Sequence, residues 1–187
     1  MWNSSTVMMI VEGTFATIYM TLLSTLMAYV IGLPVGVALV VTGREGLKPN
    51  AAVNKVLDVI VNITRSIPFL ILLILVIPLT RAIVGKSYGP SATVVPLTLA
   101  AAPFVARLVE SSLLSNLAIA LGTILGYSAM AGAVGGGGLG DIAIRYGYNR
   151  YEFDIMIVTV ILLVLLVQIM QAVCMKLARK LDRRITG

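Results

Sequence analysis

The sequence predicts an all-α integral membrane protein of five transmembrane helices, with its N-terminus outside and its C-terminus cytoplasmic. Three observations carry that expectation. Of the 187 residues, 59% are hydrophobic and 12% charged, whereas a soluble globular domain is about half apolar and about a quarter charged. The charges are also missing from long stretches: residues 13–43, 87–106, 111–140 and 155–175 contain no Asp, Glu, Lys or Arg, and about 20 apolar residues suffice to cross a bilayer. Finally, Lys and Arg are unevenly distributed between the two sides that five crossings would define.

The spans fall at approximately 13–42, 56–80, 87–107, 113–138 and 155–177, in a single transmembrane domain over residues 1–187. The second is apolar apart from Asp58, Asn62 and Arg65. Opposite ends need an odd number of crossings, and basic residues accumulate in cytoplasmic loops. Five spans place Arg44, Lys48, Lys55, Arg107 and the tail residues Lys176, Arg179, Lys180, Arg183 and Arg184 inside. Arg81, Lys86, Arg145 and Arg150 fall outside, nine against four, with Arg65 in or near a helix. No Lys or Arg precedes Arg44, so the first span reads as retained rather than as a cleaved signal. Trp2, Tyr146, Tyr148, Tyr151 and Phe153 read as headgroup-layer anchors. The tail bases recur at helical spacing, extending the last helix past the bilayer toward anionic lipid.

Several function classes are excluded by what is absent. The net charge of +6 is carried by residues flanking apolar segments, not by a basic face with aromatic platforms, so no nucleic-acid partner is expected. There is no histidine, which removes His-based zinc sites and Ser-His triads. Cys174 is the single cysteine, so no intrachain disulfide can form. Asp58, Glu110, Asp141, Glu152 and Asp154 sit near predicted helix ends and read as solvated, with no carboxylate pair spaced for acid-base work. No catalytic residue, cofactor site or metal site is expected in this chain.

Within the spans, six of seven prolines (Pro34, Pro68, Pro78, Pro90, Pro96 and Pro103, but not Pro49) lie in or beside apolar segments, where neighbouring helices can satisfy the freed backbone. Small residues recur four apart at Gly32 and Gly36, Ala102 and Ala106, and Gly122 and Gly126, a spacing that allows close helix approach. Gly135, Gly137 and Gly140 match G-x-G-x-x-G, but that motif works only between a strand and a helix. Here it reads as a break near the outer end of a span. Arg65, followed by Ser66, Ile67, Pro68 and Phe69, combines a cation, a hydroxyl and a proline-interrupted helix. The combination suits a gate or pathway lining; Arg65 as a mere marker of a helix end is the other reading.

Four runs carry a family resemblance: GLPVG at 32–36, VNITRSIPF at 61–69, VPLTLAAAPFVAR at 95–107, and GYSAMAG at 126–132 with the glycines up to 140. They resemble the permease subunit of bacterial methionine ABC importers, over roughly residues 13–184. The resemblance implies a type I importer permease of the inner membrane in which two five-helix copies form an amino-acid pathway at their shared axis. It further implies two cytoplasmic ATPase subunits that bind ATP and Mg, and an extracytoplasmic binding protein that delivers methionine. By the same resemblance Tyr127, Ser128 and Met130 lie near the central pathway, with Met130 a candidate constriction or else ordinary core packing.

One departure stands out. Permeases of this class carry a cytoplasmic coupling helix with an E-A-A…G signature between the third and fourth spans, whereas only residues 110–116 separate them here. Either the element is lost, or a segment near Ser115 to Leu117 is omitted; the flanking runs resume in register, which favours omission. Two other classes compete with an ATP-driven permease. A channel or secondary transporter would also use kinked helices, but the spans show no inverted repeat or mid-depth carboxylate. A noncatalytic membrane assembly subunit would need only the glycine-rich packing and the basic tail.

Overall fold

A computed structural model describes residues 3–109 and 113–181, with side chains described over 3–109 and 119–176. The expectations placed on Trp2, Glu110 and the tail side chains Arg179, Lys180, Arg183 and Arg184 lie outside those residues, as do the side chains of Ser115 to Leu117. Among the described residues the fold is entirely helical: α1 (Ser4–Thr42), α2 (Ala51–Ser66), α3 (Phe69–Leu75), α4 (Ile77–Val84), α5 (Pro90–Leu108), α6 (Leu113–Ala131), α7 (Gly138–Ile142) and α8 (Phe153–Leu181), with a 3₁₀ turn at Gly132–Val134 and a π turn at Ala143–Tyr148. Among the described residues three helices are each long and apolar enough to cross a membrane, namely α1, α5 and α8, and there are up to five spans if two bent pairs each count as one.

The helices start and stop where local chemistry requires. Asn3 caps α1 by accepting from the Thr6 N–H at 2.9 Å, and Asn50 caps α2 by accepting from the Val53 N–H at 3.1 Å. Pro90 opens α5, where a missing N–H costs nothing. Pro34, Pro96 and Pro103 sit inside continuous helices. Only Pro68 separates two elements by a sharp turn. The stretch expected as one span over 56–80 is therefore α2, α3 and α4, and the chain axis turns 104° between α2 and α3. α8 continues to Leu181.

The bundle is organised around α5, more than half of whose apolar window is buried, against 28% for α1 and 11% for α8. Its main partner is α1, and the small residues seen in the sequence meet at that seam. A Cβ on Gly32 would stand 2.5 Å from the Ala102 carbonyl oxygen, and one on Gly36 2.5 Å from that of Ala106. The two small-x₃-small pairs thus pack on each other. Above the seam, Thr17, Thr21 and Thr25 bury their hydroxyls by donating to the carbonyls of Gly13, Thr17 and Thr21. Thr17 Oγ1 also accepts from the Leu139 N–H at 2.8 Å, tying α1 to α7.

The glycine run breaks the helix after α6, as its composition implies. Gly138 has φ +75°, and a Cβ there would meet Thr17 Oγ1 at 2.6 Å, so both conformation and space demand glycine. Thr93 of α5 donates to the Gly89 and Gly136 carbonyls, and the Gly89 N–H to Gly135 O at 2.9 Å. The run is thus a packing device, not a nucleotide cradle. Beyond it, Tyr148, Tyr151 and Phe153 project from the bundle, each at least 66% exposed, and Arg150 sits 4.5 Å over the Tyr146 ring. Much of α8's exposed surface is apolar, including Ile157, Ile161, Val164 and Leu165, as a lipid-facing helix requires.

The α1–α5 seam generates a test. Gly32→Ala drives a methyl into backbone, so stability should fall by about 1–3 kcal/mol. Gly126→Ala, where the space is open, should leave it within about 0.5 kcal/mol. Thermal unfolding in detergent compares the two.

Candidate functional site

The candidate site is built by the corner between α2 and α3. Proline has no N–H to continue the ladder, and it biases the preceding residue away from helical geometry. Ile67 accordingly adopts φ −77°, ψ 123°, and α2 ends with the Ile67 N–H on the Thr64 carbonyl at 3.4 Å. The turn sends Phe69 into the bundle, where it is buried against Met20, Leu73, Leu97 and Ala131. There its ring stacks on Tyr127 of α6, with centroids 4.6 Å apart and planes 3° from parallel.

Beside this stack lies a cavity of about 270 Å³. Its walls include Thr64 and Arg65 from the end of α2, Phe69, Phe104 from α5, and Thr123 and Tyr127 from α6. The threonine hydroxyls donate to carbonyls one turn back, Thr64 to Ile60 and Thr123 to Ile119, both at 2.9 Å, which leaves their oxygens as acceptors. Arg65 makes no ion pair among the described residues. The cavity is thus lined by an exposed arginine with no ion-pair partner among the described residues, together with aromatic and aliphatic side chains.

Of the seven residues singled out from sequence, the structure brings Arg65, Phe69 and Tyr127 together. Pro68 builds the corner without lining the cavity. Ser66 is exposed and donates to the Asn62 carbonyl at 2.8 Å. Ser128 is buried and donates to the Leu125 carbonyl at 2.7 Å. Met130 is 55% exposed on the single chain rather than packed in its core. Thr64, Phe104 and Thr123 were not singled out: nothing distinguishes them from ordinary span residues until Phe69 is turned against their helices.

A second feature lies one turn further along, at the C-terminal end of α5. Arg107 forms an ion pair with Asp58 and donates to Asn62 Oδ1 at 2.8 Å, while Asp58 Oδ2 accepts from Asn62 Nδ2 at 3.1 Å. Asn54 Nδ2 reaches the Leu39 carbonyl at 2.8 Å. These contacts floor an open cleft of about 640 Å³ whose rim includes Val37, Arg44, Glu45 and Val109. The expectation that Asp58 and Asp141 are simply solvated is thereby corrected, since Asp141 pairs with Arg145 at 2.9 Å. Asp58 lies mid-helix in α2, one turn before Asn62, which the apolar reading of this span obscured. Among the described residues no group of three or more His, Cys, Asp or Glu could hold a metal ion.

No family model matches the chain. It is 41% identical over 210 aligned positions to the probable D-methionine transport system permease protein MetI of Vibrio cholerae, covering 94% of this chain and 93% of that one. The chain belongs to the D-methionine transport permease family. A relative from Haemophilus influenzae is 37% identical over 94% of this chain and 98% of its own length. The Escherichia coli member is 52% identical over 106 residues, 57% of this chain and 49% of that protein. Among solved structures, a chain of the MetNI methionine ABC transporter in an inward-facing conformation superposes with a TM-score of 0.94 at 39% identity, covering 97% of this chain and all of the other. The all-helical fold is thus that of the transporter's permease, and this family member is a bacterial inner-membrane protein, the location expected from sequence.

The Asp58–Arg107 pair, with side chains 40% and 25% exposed, should couple by up to about 1 kcal/mol. A double-mutant cycle on Asp58→Asn and Arg107→Gln, read by denaturant unfolding in detergent, measures it.

Proposed function

We propose that this family member forms the membrane pathway of an ATP-driven methionine importer. In this reading two copies face each other across the pathway, each with five spans, N-terminus outside and C-terminus cytoplasmic. Two separate ATPase subunits, which bind ATP and Mg, dock on the cytoplasmic side, and a binding protein delivers substrate from outside. The observation that carries the reading is the superposition over the whole of a MetNI chain. Supporting it, nine of the fourteen basic residues fall on the side assigned to the cytoplasm. The bent pairs at Pro68 and at the glycine run give the broken helices that a pathway uses. The exposure of Met130 suits a face turned toward a second copy.

The mechanism follows from differential binding. A pathway that alternates between outward- and inward-open forms is driven only by partners that bind the two forms unequally. ATP binding and hydrolysis supply that inequality through the ATPase pair, and the permease must transmit it. We place the difference between this chain and its relatives in the link from α5 to α6. The match to the Vibrio cholerae protein has 210 positions but takes in 94% of 187 residues, about 176. About 34 positions therefore have no counterpart here. The 106-residue match to the Escherichia coli member has close to the length of the chain up to the end of α5 at Leu108, which supports placing the gap just after α5, beside the Arg107 cleft.

Copurification from membranes in mild detergent tests the reading. With this 187-residue chain, recovery of a methionine-importer ATPase should be at least about tenfold lower than with a version carrying the relatives' additional segment between α5 and α6, a loss equivalent to about 1.4 kcal/mol. ATP-dependent methionine uptake should follow the same order. Failure of the restored chain to retain any ATPase would sink the permease reading and favour a channel, a secondary transporter or an assembly subunit.

A further inference from the structure

We infer that the cavity at the α2–α3 corner is an intramembrane binding site for a small zwitterionic amino acid, with Arg65 holding its carboxylate and the Phe69–Tyr127 stack its side chain. The inference rests on the permease reading for its biological role but on the cavity's own chemistry for the ligand. At membrane depth an arginine is costly unless an anion or dipoles compensate it, and Arg65 is exposed on the single chain, open to a ligand. No carboxylate of the described residues pairs with Arg65, whereas the nearest acidic residue along α2, Asp58, is already engaged by Arg107 and Asn62. The guanidinium presents five donors in a planar fork that matches a carboxylate.

The second charge of the ligand is provided for as well. Arg65 stands in the last turn of α2, where carbonyls lose their intrahelical partners and carry the negative end of the helix dipole. Pro68 has no N–H to return to them. A cation from a side chain and partial negative charge from the helix end thus lie side by side, an arrangement complementary to a carboxylate and ammonium on one carbon. Phe69, Phe104 and Tyr127, with the aliphatic Ile67, Leu72 and Ala100, complete the lining and suit an unbranched apolar or thioether chain, since sulfur packs favourably at ring edges. The cavity, at about 270 Å³, falls just below the usual range for drug-sized ligands, which fits a single amino acid rather than a peptide.

The test uses the full chain in nanodiscs, with equilibrium dialysis of radiolabelled methionine and with methioninamide, which keeps the ammonium and thioether but lacks the carboxylate, as competitor. Methionine should bind, and methioninamide should compete at least about tenfold more weakly, as expected for loss of a charged hydrogen-bonded partner. Arg65→Gln should weaken methionine at least about tenfold and abolish the discrimination. Arg65→Lys, retaining charge without the fork, should fall between, and Arg81→Gln should match the parent. Near-ultraviolet dichroism of the aromatic stack guards against misfolding, and any variant that loses it is replaced by Arg65→Met. Equal binding of methioninamide to the parent, no binding of methionine, or unchanged binding in Arg65→Gln overturns the site. ATPase copurification is read separately. An importer assembled with the restored chain and indifferent to Arg65 rejects the site alone, whereas Arg65-dependent binding with no ATPase capture even by the restored chain retains the site and rejects the permease reading.

Discussion

The close approach of α1 and α5 is the constraint on which the rest of the bundle depends. In lipid the hydrophobic effect does little to join one apolar helix to another, so association relies on van der Waals contact and on hydrogen bonds between helices. Gly32 and Gly36 bring the α1 backbone onto the Ala102 and Ala106 carbonyls, leaving no room for a side chain on either glycine. That contact fixes α5 as the central helix. With α5 fixed, α6 packs its Ile124 against the same seam, and Phe104 and Thr123 come to line one cavity. The cavity's position is therefore a consequence of two glycines about 30 residues away in sequence.

Irregular backbone is expensive at membrane depth because each freed polar group must find a partner within the protein. The two breaks in this fold meet that requirement differently. The glycine run is served by Thr93 and Thr17, whose hydroxyls reach Gly136 O and the Leu139 N–H. The α2–α3 corner is served less completely, because Pro68 removes a donor and the α2 end faces a cavity instead of another helix. One break is thus closed by packing, and the other is left chemically open. That difference explains why the same device, an interrupted helix, yields a structural clasp in one place and a candidate binding site in the other.

The legibility of the sequence follows the same division. The apolar stretches, the small-residue pairs, the break at the glycines and the coincidence of Arg65 and Phe69 with a proline could be read directly, since each depends on residue type or local spacing, whereas Tyr127 entered by resemblance. The 104° turn was visible only as a proline in a span; its angle and the burial of Phe69 depend on what α5 and α6 present. Asp58 read as solvated because its partner, Arg107, is 49 residues away and becomes a neighbour only after α2 docks against α5. Ser128 and Met130 were placed by resemblance near one pathway, yet their side chains diverge, one buried and one exposed. Residues two apart on a helix point to different sides, a distinction that a motif does not record.

The short connection between α5 and α6 separates two properties that a longer chain would combine. Leu108 ends α5 and Leu113 opens α6, so four residues join them, and four extended residues reach about 14 Å. Packed helices lie about 8–10 Å apart, so this length is sufficient to close the bundle. It is far too short to project a helix beyond the ends of the spans and engage a second protein. The seam, the corner and the cavity all form without such a projection, because none of their contacts passes through it. In the proposed importer, substrate recognition at the corner and transmission of ATP-derived work through the segment after α5 are therefore physically distinct.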